Sequence, residues 1–258
     1  MKFVRLSESE YRQNEALGFH DLMNLSKSYL HFQEGRRPKD QADWQRFGTA
    51  AHLMALEPSR FASEVVTRPT ADRRTREGKA LHESFERESA GKVVVTEEEM
   101  ERLVAMRQML HGSSAFNDIL NCATHIEACA FCELESLRLK GRIDAAGTLP
   151  GGELFILEYK TTSDASWDEF QRDVHKYRYD LQLYHYAVVA DQPQARLFIV
   201  AQEKTAPFDW TITEIEVSDV LAERYRELLS QAKKNLESRE GYSKNLFVYR
   251  QRRFLWNN

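Results

Sequence analysis

Three ionisable side chains at strand spacing dominate the chemistry open to this chain. Asp144 closes the stretch Gly141-Arg142-Ile143-Asp144, and after thirteen intervening residues comes Glu158-Tyr159-Lys160. Side chains two apart on a strand share a face, so Glu158 and Lys160 project together. A turn at Pro150-Gly151-Gly152 folds the preceding strand back and carries Asp144 toward the same point. Two carboxylates and an ammonium are costly to bury together without a compensating partner, and a divalent cation is such a partner. Oxygen ligands from Asp144 and Glu158, completed by water and phosphate oxygens, suit Mg²⁺ or Mn²⁺. The backbone carbonyl of Tyr159 is a further candidate donor. Lys160 would lower the cost of forming hydroxide or orient an attacking water. The rival reading of the same residues is a salt bridge on an exposed strand.

The elements around these residues favour a buried site. Leu154, Phe155, Ile156 and Leu157 present two apolar faces, as in a strand covered on both sides, and Glu158 and Lys160 extend that strand. Charges at the end of a buried strand mark a site at the carboxyl edge of a sheet. Before residue 122 the chain reads as helices: Asp21 to Phe32, with Leu22, Leu25 and Tyr29 in phase; Asp43 to Leu56, closed by Pro58; Arg76 to Ala90; and a helix opened by the Thr96/Glu99 capping box ahead of Met100, Leu103, Met106 and Leu110. After residue 121 the period changes. His125 to Leu139 and Gly141 to Gly147 read as strands, then Glu153 to Lys160. Helices follow at Trp167–Lys176 and Tyr179–Val189, strands at Ala195–Val200 and Trp210–Val217. A long helix over Ser218–Leu236 places Val220, Leu221, Tyr225, Leu228, Leu229 and Ala232 on its apolar face. The expectation is one α/β domain over 1–258: a mainly helical part over 1–121, a sheet core over 122–217, and a terminal helix and tail over 218–258.

Several other residues carry two readings. His52 sits in an apolar helical stretch, where a lone histidine is more often a satisfied core residue, and imidazole is a poor Mg²⁺ ligand. Gln182 and Tyr186 are four apart on one helix face, but Tyr177, Tyr179, Tyr184 and Tyr186 crowd the segment and plain packing would explain them. Glu127 is either an additional acid at the metal site or a solvated edge charge. Cys129 and Cys132 lack partners for a four-ligand metal site, since Cys122 is the only other cysteine, and they read as free thiols. Arg73, Arg74, Arg76 and Lys79 cluster where a helix begins. Lys140 and Arg142 flank the proposed site, and Arg172, Lys176 and Arg178 precede the Gln182 helix. Each group is a candidate phosphate contact or a solvated face. The tail from Tyr249 to Trp256 mixes basic and aromatic residues that could bind DNA, bind a subunit or pack on the domain.

Composition narrows the field. The chain has 258 residues, 42% hydrophobic and 29% charged, enough for a core without disulfide or metal staples. Its formal charge of -4 confines any nucleic-acid contact to a local basic surface. Three cysteines fit a reducing cytoplasm. No signal-peptide core or membrane-length apolar run appears. Neither Gly-x-Ser-x-Gly nor a phosphate-cradling glycine loop is present, against a small-molecule hydrolase of those kinds.

Asp144 with Glu158-Tyr159-Lys160 resembles the signature of the PD-(D/E)-x-K nucleases. Thr161-Thr162 after the lysine and Gln182-x-x-x-Tyr186 are similar to the exonuclease branch that includes lambda-type exonuclease and the nuclease domains of recombination helicase-nucleases. Gly48-Thr49-Ala50-Ala51-His52, Leu56-Glu57-Pro58 with Phe61, and Arg74-Thr75-Arg76-Glu77-Gly78-Lys79 resemble more narrowly the phage and prophage exodeoxyribonuclease VIII group. These separated motifs run in the family's order from about Asp21 to Tyr186. Ile143 replaces a proline common in the family, and Glu158 takes a position where many relatives have aspartate.

The resemblance implies a restriction-endonuclease-like mixed sheet flanked by helices, and a Mg²⁺-dependent exonuclease (Mn²⁺ as substitute) acting 5′ to 3′ from ends of double-stranded DNA. It implies Asp144 and Glu158 as metal ligands, His52 as a further ligand and Lys160 as the residue that positions water. Gln182 and Tyr186 would hydrogen-bond the lysine, the water or the phosphate. It also implies a ring-shaped homo-oligomer, a single-strand annealing partner and a cytoplasmic setting. The rival functions are an endonuclease of the same fold and a non-catalytic DNA-binding module.

Overall fold

The computed structural model describes residues 3–37 and 43–241. The tail from Tyr249 to Trp256 lies outside the described residues. A five-stranded mixed sheet is covered by helices on both faces, giving the α/β class with a helical N-terminal portion. Its strands, in spatial order, are β3 (Ala123–Leu134), β4 (Leu137–Thr148), β5 (Leu154–Thr162), β6 (Arg196–Glu203) and β7 (Trp210–Ile215). Every neighbouring pair is antiparallel except β5 with β6. A parallel pair needs a long crossover, here α9 (Trp167–Tyr177) and α10 (Tyr179–Val189). A separate two-stranded parallel sheet joins β1 (Val65–Thr67) to β2 (Val93–Val95).

One face of the large sheet packs Leu139, Ile143, Ile156, Leu197 and Ile199 against α2 (Phe19–Lys27), α3 (Tyr29–Gly35), α9, α10 and α11 (Asp219–Ser238). The other packs Ala145, Phe155, Leu157, Tyr159 and Val200 against α4 (Asp43–Leu56), α7 (Glu97–His111) and α8 (Ser114–Asn121). Fully burying a leucine such as Leu22 or Leu103 contributes about 1.5–3 kcal/mol. The Thr96/Glu99 capping box opens α7 as expected. The same Glu99 receives a two-pronged contact from Arg46 Nη2 at 3.0 and 3.1 Å, which ties α4 to α7.

The structure corrects several boundaries. The helix expected over Asp21–Phe32 is two helices, α2 and α3, broken at Ser28, whose extended backbone and side chain cap the second. Pro58 does close α4, and it also opens α5 (Pro58–Glu64), since its missing N–H costs nothing in a first turn. The first long strand does not reach Leu139. Glu135 and Ser136, with φ of 49° and 66°, turn the chain so that β4 begins at Leu137. Val220 is 69% exposed and falls off the apolar face of α11. A short α1 (Glu8–Gln13), α6 (Arg76–Glu88), α8 and the β1–β2 pair complete the fold. A capping box of Ser7 with Glu10 opens α1, a helix that the sequence reading missed.

A candidate metal centre

The site forms where β4 parts from β5. Their pairing ends at Ala145↔Leu157, and β5 continues beside β6 through Glu158↔Ile199 and Lys160↔Ala201. One residue past the last β4–β5 pair, Asp144 Oδ2 accepts the N–H of Tyr159 at 2.8 Å. The carboxylate thus serves an amide that a continuing ladder would have satisfied. Tyr159 is anchored at its other end, where its hydroxyl donates to Gln202 Oε1 at 2.8 Å and Gln202 Nε2 donates to the Met106 carbonyl at 2.8 Å.

Asp144 and Glu158 are 6% and 3% exposed. Lys160 Nζ donates to Glu158 Oε1 at 2.6 Å. The other oxygen, Glu158 Oε2, is buried without a hydrogen-bond partner. Burial first, then the charge of Glu127, pushes the Asp144 carboxyl well above the usual carboxylate range. Burial first, then Asp144, pushes Glu158 up to about 7. Burial works against the Lys160 ammonium, yet Glu158 and Asp144 outweigh it and raise its pKa. Its Nζ also lies 4.9 Å from the centre of the Tyr179 ring, a cation–π contact that the sequence did not signal.

Helix α4 supplies His52, whose Nδ1 is 3.4 Å from Asp144 Oδ2 and whose ring meets Tyr159 edge-on at 5.2 Å. Burial lowers its pKa, which favours the neutral imidazole that ligates metals. Ligand atoms of His52, Glu127 and Asp144 all lie within 4.8 Å of one another. Glu127 is therefore no solvated edge charge. The pairs Ile126↔Ala145 and Ala128↔Ile143 set it opposite Asp144, and Arg142 Nε donates to its Oε2 at 2.6 Å. The donor set of carboxylates and one imidazole, with an orphaned buried oxygen on Glu158, fits a divalent cation: an unpaired buried carboxylate oxygen is costly and a cation would satisfy it.

Other expected site residues land differently. Gln182 and Tyr186 share a buried face of α10, but Gln182 Nε2 donates to the Tyr186 hydroxyl at 2.8 Å, and among the described residues neither bonds Lys160. Close packing explains this pairing: the Tyr186 ring lies against Gly141, where an added Cβ would sit 2.9 Å from Cδ1. Lys140 is buried, and its ammonium donates to the carbonyls of Tyr11 and Asn14 at 2.8 Å each. It pins the N-terminal segment, leaving no free charge for phosphate. Arg142 is committed to Glu127. Arg73, Arg74, Arg76 and Lys79 are exposed around the start of α6. Arg73 is 3.4 Å from Glu86 and Arg74 is 3.3 Å from Asp72. All three cysteines are free, with only Cys129 fully buried.

A mixed sheet with acids and a lysine at the parting of two strands is the architecture of the PDDEXK nuclease fold. The family model described as "PDDEXK-like domain of unknown function (DUF3799)" matches residues 18–244, and the chain belongs to that family. A solved structure named "Putative exonuclease" from Eubacterium rectale is similar, with a TM-score of 0.53 at 14% identity, over 91% of this chain and 85% of that one. A phage related exonuclease from Haemophilus somnus 129PT aligns over 89% of this chain and 97% of that one, at 15% identity and a TM-score of 0.38. No curated protein matches the chain. Among the described residues no helix is long and apolar enough to cross a membrane.

Proposed function

We propose that this chain is a metal-dependent nuclease that hydrolyses DNA phosphodiesters. In its finer form the reading is a Mg²⁺-dependent 5′-to-3′ exonuclease on double-stranded ends, releasing 5′-mononucleotides and leaving 3′ overhangs. The observation that carries it is the convergence of Asp144, Glu158 and Lys160 at the carboxyl end of β5, with Glu158 Oε2 buried and unpaired. The name "Putative exonuclease" carried by the Eubacterium rectale structure agrees with this reading.

Asp144, Glu158, His52 and Glu127 would hold the cation, with the Tyr159 carbonyl as a further donor. When bound, it supplies Lewis acidity toward the phosphate and the leaving oxygen. Lys160 keeps its proton because Glu158 and Asp144 stabilise the ammonium, so it acts as a donor that orients a water. Tyr159, held at both ends, fixes the backbone between Glu158 and Lys160. Gln182 and Tyr186 act on the site by packing against Gly141 on β4, the strand that carries Asp144. The basic start of α6, with Arg73, Arg74, Arg76 and Lys79, is a candidate phosphate contact. The ring-shaped homo-oligomer, the annealing partner and the cytoplasmic setting follow only from the family resemblance.

The test is digestion of linear duplex DNA with Mg²⁺. Wild type should release a 5′-terminal label first as mononucleotide, and Lys160→Ala and Asp144→Asn should lose this while staying folded. Undiminished digestion by both variants refutes the site. Nicking of closed circles by the wild type replaces the exonuclease with an endonuclease.

A further inference from the structure

The corner between α9 and α10 carries a feature that hydrolysis leaves unused. Phe170, 2% exposed, lies offset-stacked on Tyr179, with centroids 6.3 Å apart and planes at 28°. Tyr179 in turn neighbours Tyr177 at 5.5 Å and 30°. The row thus runs from the core, past the lysine of the site at 4.9 Å from Tyr179, to the surface, where Tyr177 is 48% exposed. Core packing does not demand that last ring. Arg178 between the two tyrosines is left-handed, with φ 60°, and both ends α9 and opens α10. A non-glycine residue there costs about 1 kcal/mol or more, and the bend it makes sets Tyr177 and Tyr179 side by side.

The charge beside the row is mixed, since the Asp173 carboxylate acts on both Tyr179 and Lys176, but the cation lies at the exposed end. Lys176 Nζ lies 4.8 Å from the centre of the Tyr177 ring, and His175 and Lys176 form the basic last turn of α9. An exposed aromatic ring with one ammonium over it, in a row that continues to the proposed cleavage centre, matches the chemistry of an unpaired nucleotide: the base takes the ring face and the ammonium swings to the phosphate. A base inside a duplex is already stacked on both sides and has no free face to offer. We propose that Tyr177 is a stacking platform for an unpaired base of the strand next to the scissile phosphate, so that the site engages a frayed or single-stranded end. This inference rests on the nuclease reading above.

Tyr177 is exposed, so Tyr177→Ala leaves the fold intact, and Tyr177→Phe and Tyr177→Trp preserve the face. The probe is a DNA duplex with a short unpaired end carrying 2-aminopurine, bound in EDTA so that nothing is cut. Wild type, Tyr177→Phe and Tyr177→Trp should quench the fluorescence on binding. Tyr177→Ala should lose most of the quenching and bind roughly 5–100-fold more weakly. Quenching and affinity equal to wild type in Tyr177→Ala overturn the platform, as does a Tyr177→Ala variant whose only change is in oligomeric state by sedimentation. A wild type that neither binds nor cuts any DNA sinks the nuclease reading and the platform together. A wild type that cuts while Tyr177→Ala quenches equally sinks the platform alone.

Discussion

The N–H of Tyr159 donates to Oδ2 of Asp144 at 2.8 Å, a backbone-to-side-chain bond at the point where β4 and β5 cease to pair. One carboxylate therefore has two duties. It replaces a missing ladder bond, and it joins His52 and Glu127 in the one cluster, among the described residues, whose spacing could hold a metal ion.

The two duties are separable. Asp144→Asn retains an acceptor for Tyr159 and removes the charge, so it should abolish Mg²⁺-dependent cleavage while unfolding near the wild-type denaturant midpoint. Asp144→Ala removes the acceptor as well and leaves a buried amide unpaired, for an additional loss of about 1–3 kcal/mol. Urea titration of the two variants checks this.

The raised carboxyls predict how metal binding depends on pH. Without a cation, the folded state keeps protons on Asp144 and Glu158 that the unfolded chain releases near its ordinary carboxyl pKa of about 4. Their contribution to stability therefore falls as pH rises from there to about 7. A cation must displace those protons, so apparent Mg²⁺ affinity should increase by about tenfold or more from about pH 6 to about pH 8. Calorimetry in buffers of different ionisation enthalpy should show proton release on binding. Saturating Mg²⁺ at about 100 times Kd should stabilise the fold by about 2.7 kcal/mol, and a chelator should reverse this.

Gly141 should tolerate no side chain. A Cβ there would press 2.9 Å from the Tyr186 ring, which is buried and bonded to Gln182. Gly141→Ala is expected to cost about 1–3 kcal/mol and to reduce cleavage. A combined Gly141→Ala/Tyr186→Leu variant, in which the ring is gone, should recover part of the melting temperature.

His185 predicts an acid-sensitive fold. It is wholly buried, with Nε2 2.9 Å from the Lys140 carbonyl and Nδ1 2.7 Å from the Tyr225 hydroxyl. A carbonyl only accepts, so Nε2 bears the proton and Nδ1 accepts from the tyrosine. Burial pushes its pKa down to about 4, below the unfolded value of about 6.5. Between those values the unfolded chain binds the extra proton, so stability rises with pH across the window and is lost on acidification, by about 3 kcal/mol in total. The carboxylates of the site slope the other way. The difference between wild type and His185→Gln across that window isolates the histidine.

Much of this molecule was readable from local pattern. The period change near residue 121, the capping box at Thr96, the Asp43–Leu56 and Tyr179–Val189 helices and the strand leading to Glu158 all follow from side-chain alternation and caps, which act over a few residues. Less local features escaped. The Glu135-Ser136 turn uses two left-handed residues without glycine, so no turn signal marked it. The break at Ser28 lies inside an apolar helical period that continues on both sides.

Sequence alone determined which acids and which amine are available, and that Glu158 and Lys160 share a face, because strand alternation is a property of neighbouring residues. Tertiary structure decided the rest. It brought Glu127 beside His52 and Asp144 and Arg142 onto Glu127, turned Lys140 inward, paired Gln182 with Tyr186, and laid Tyr179 under the ammonium of Lys160. Each of those contacts joins segments or rotamers whose approach depends on how the helices settle on the sheet, and chain spacing carries no record of that packing.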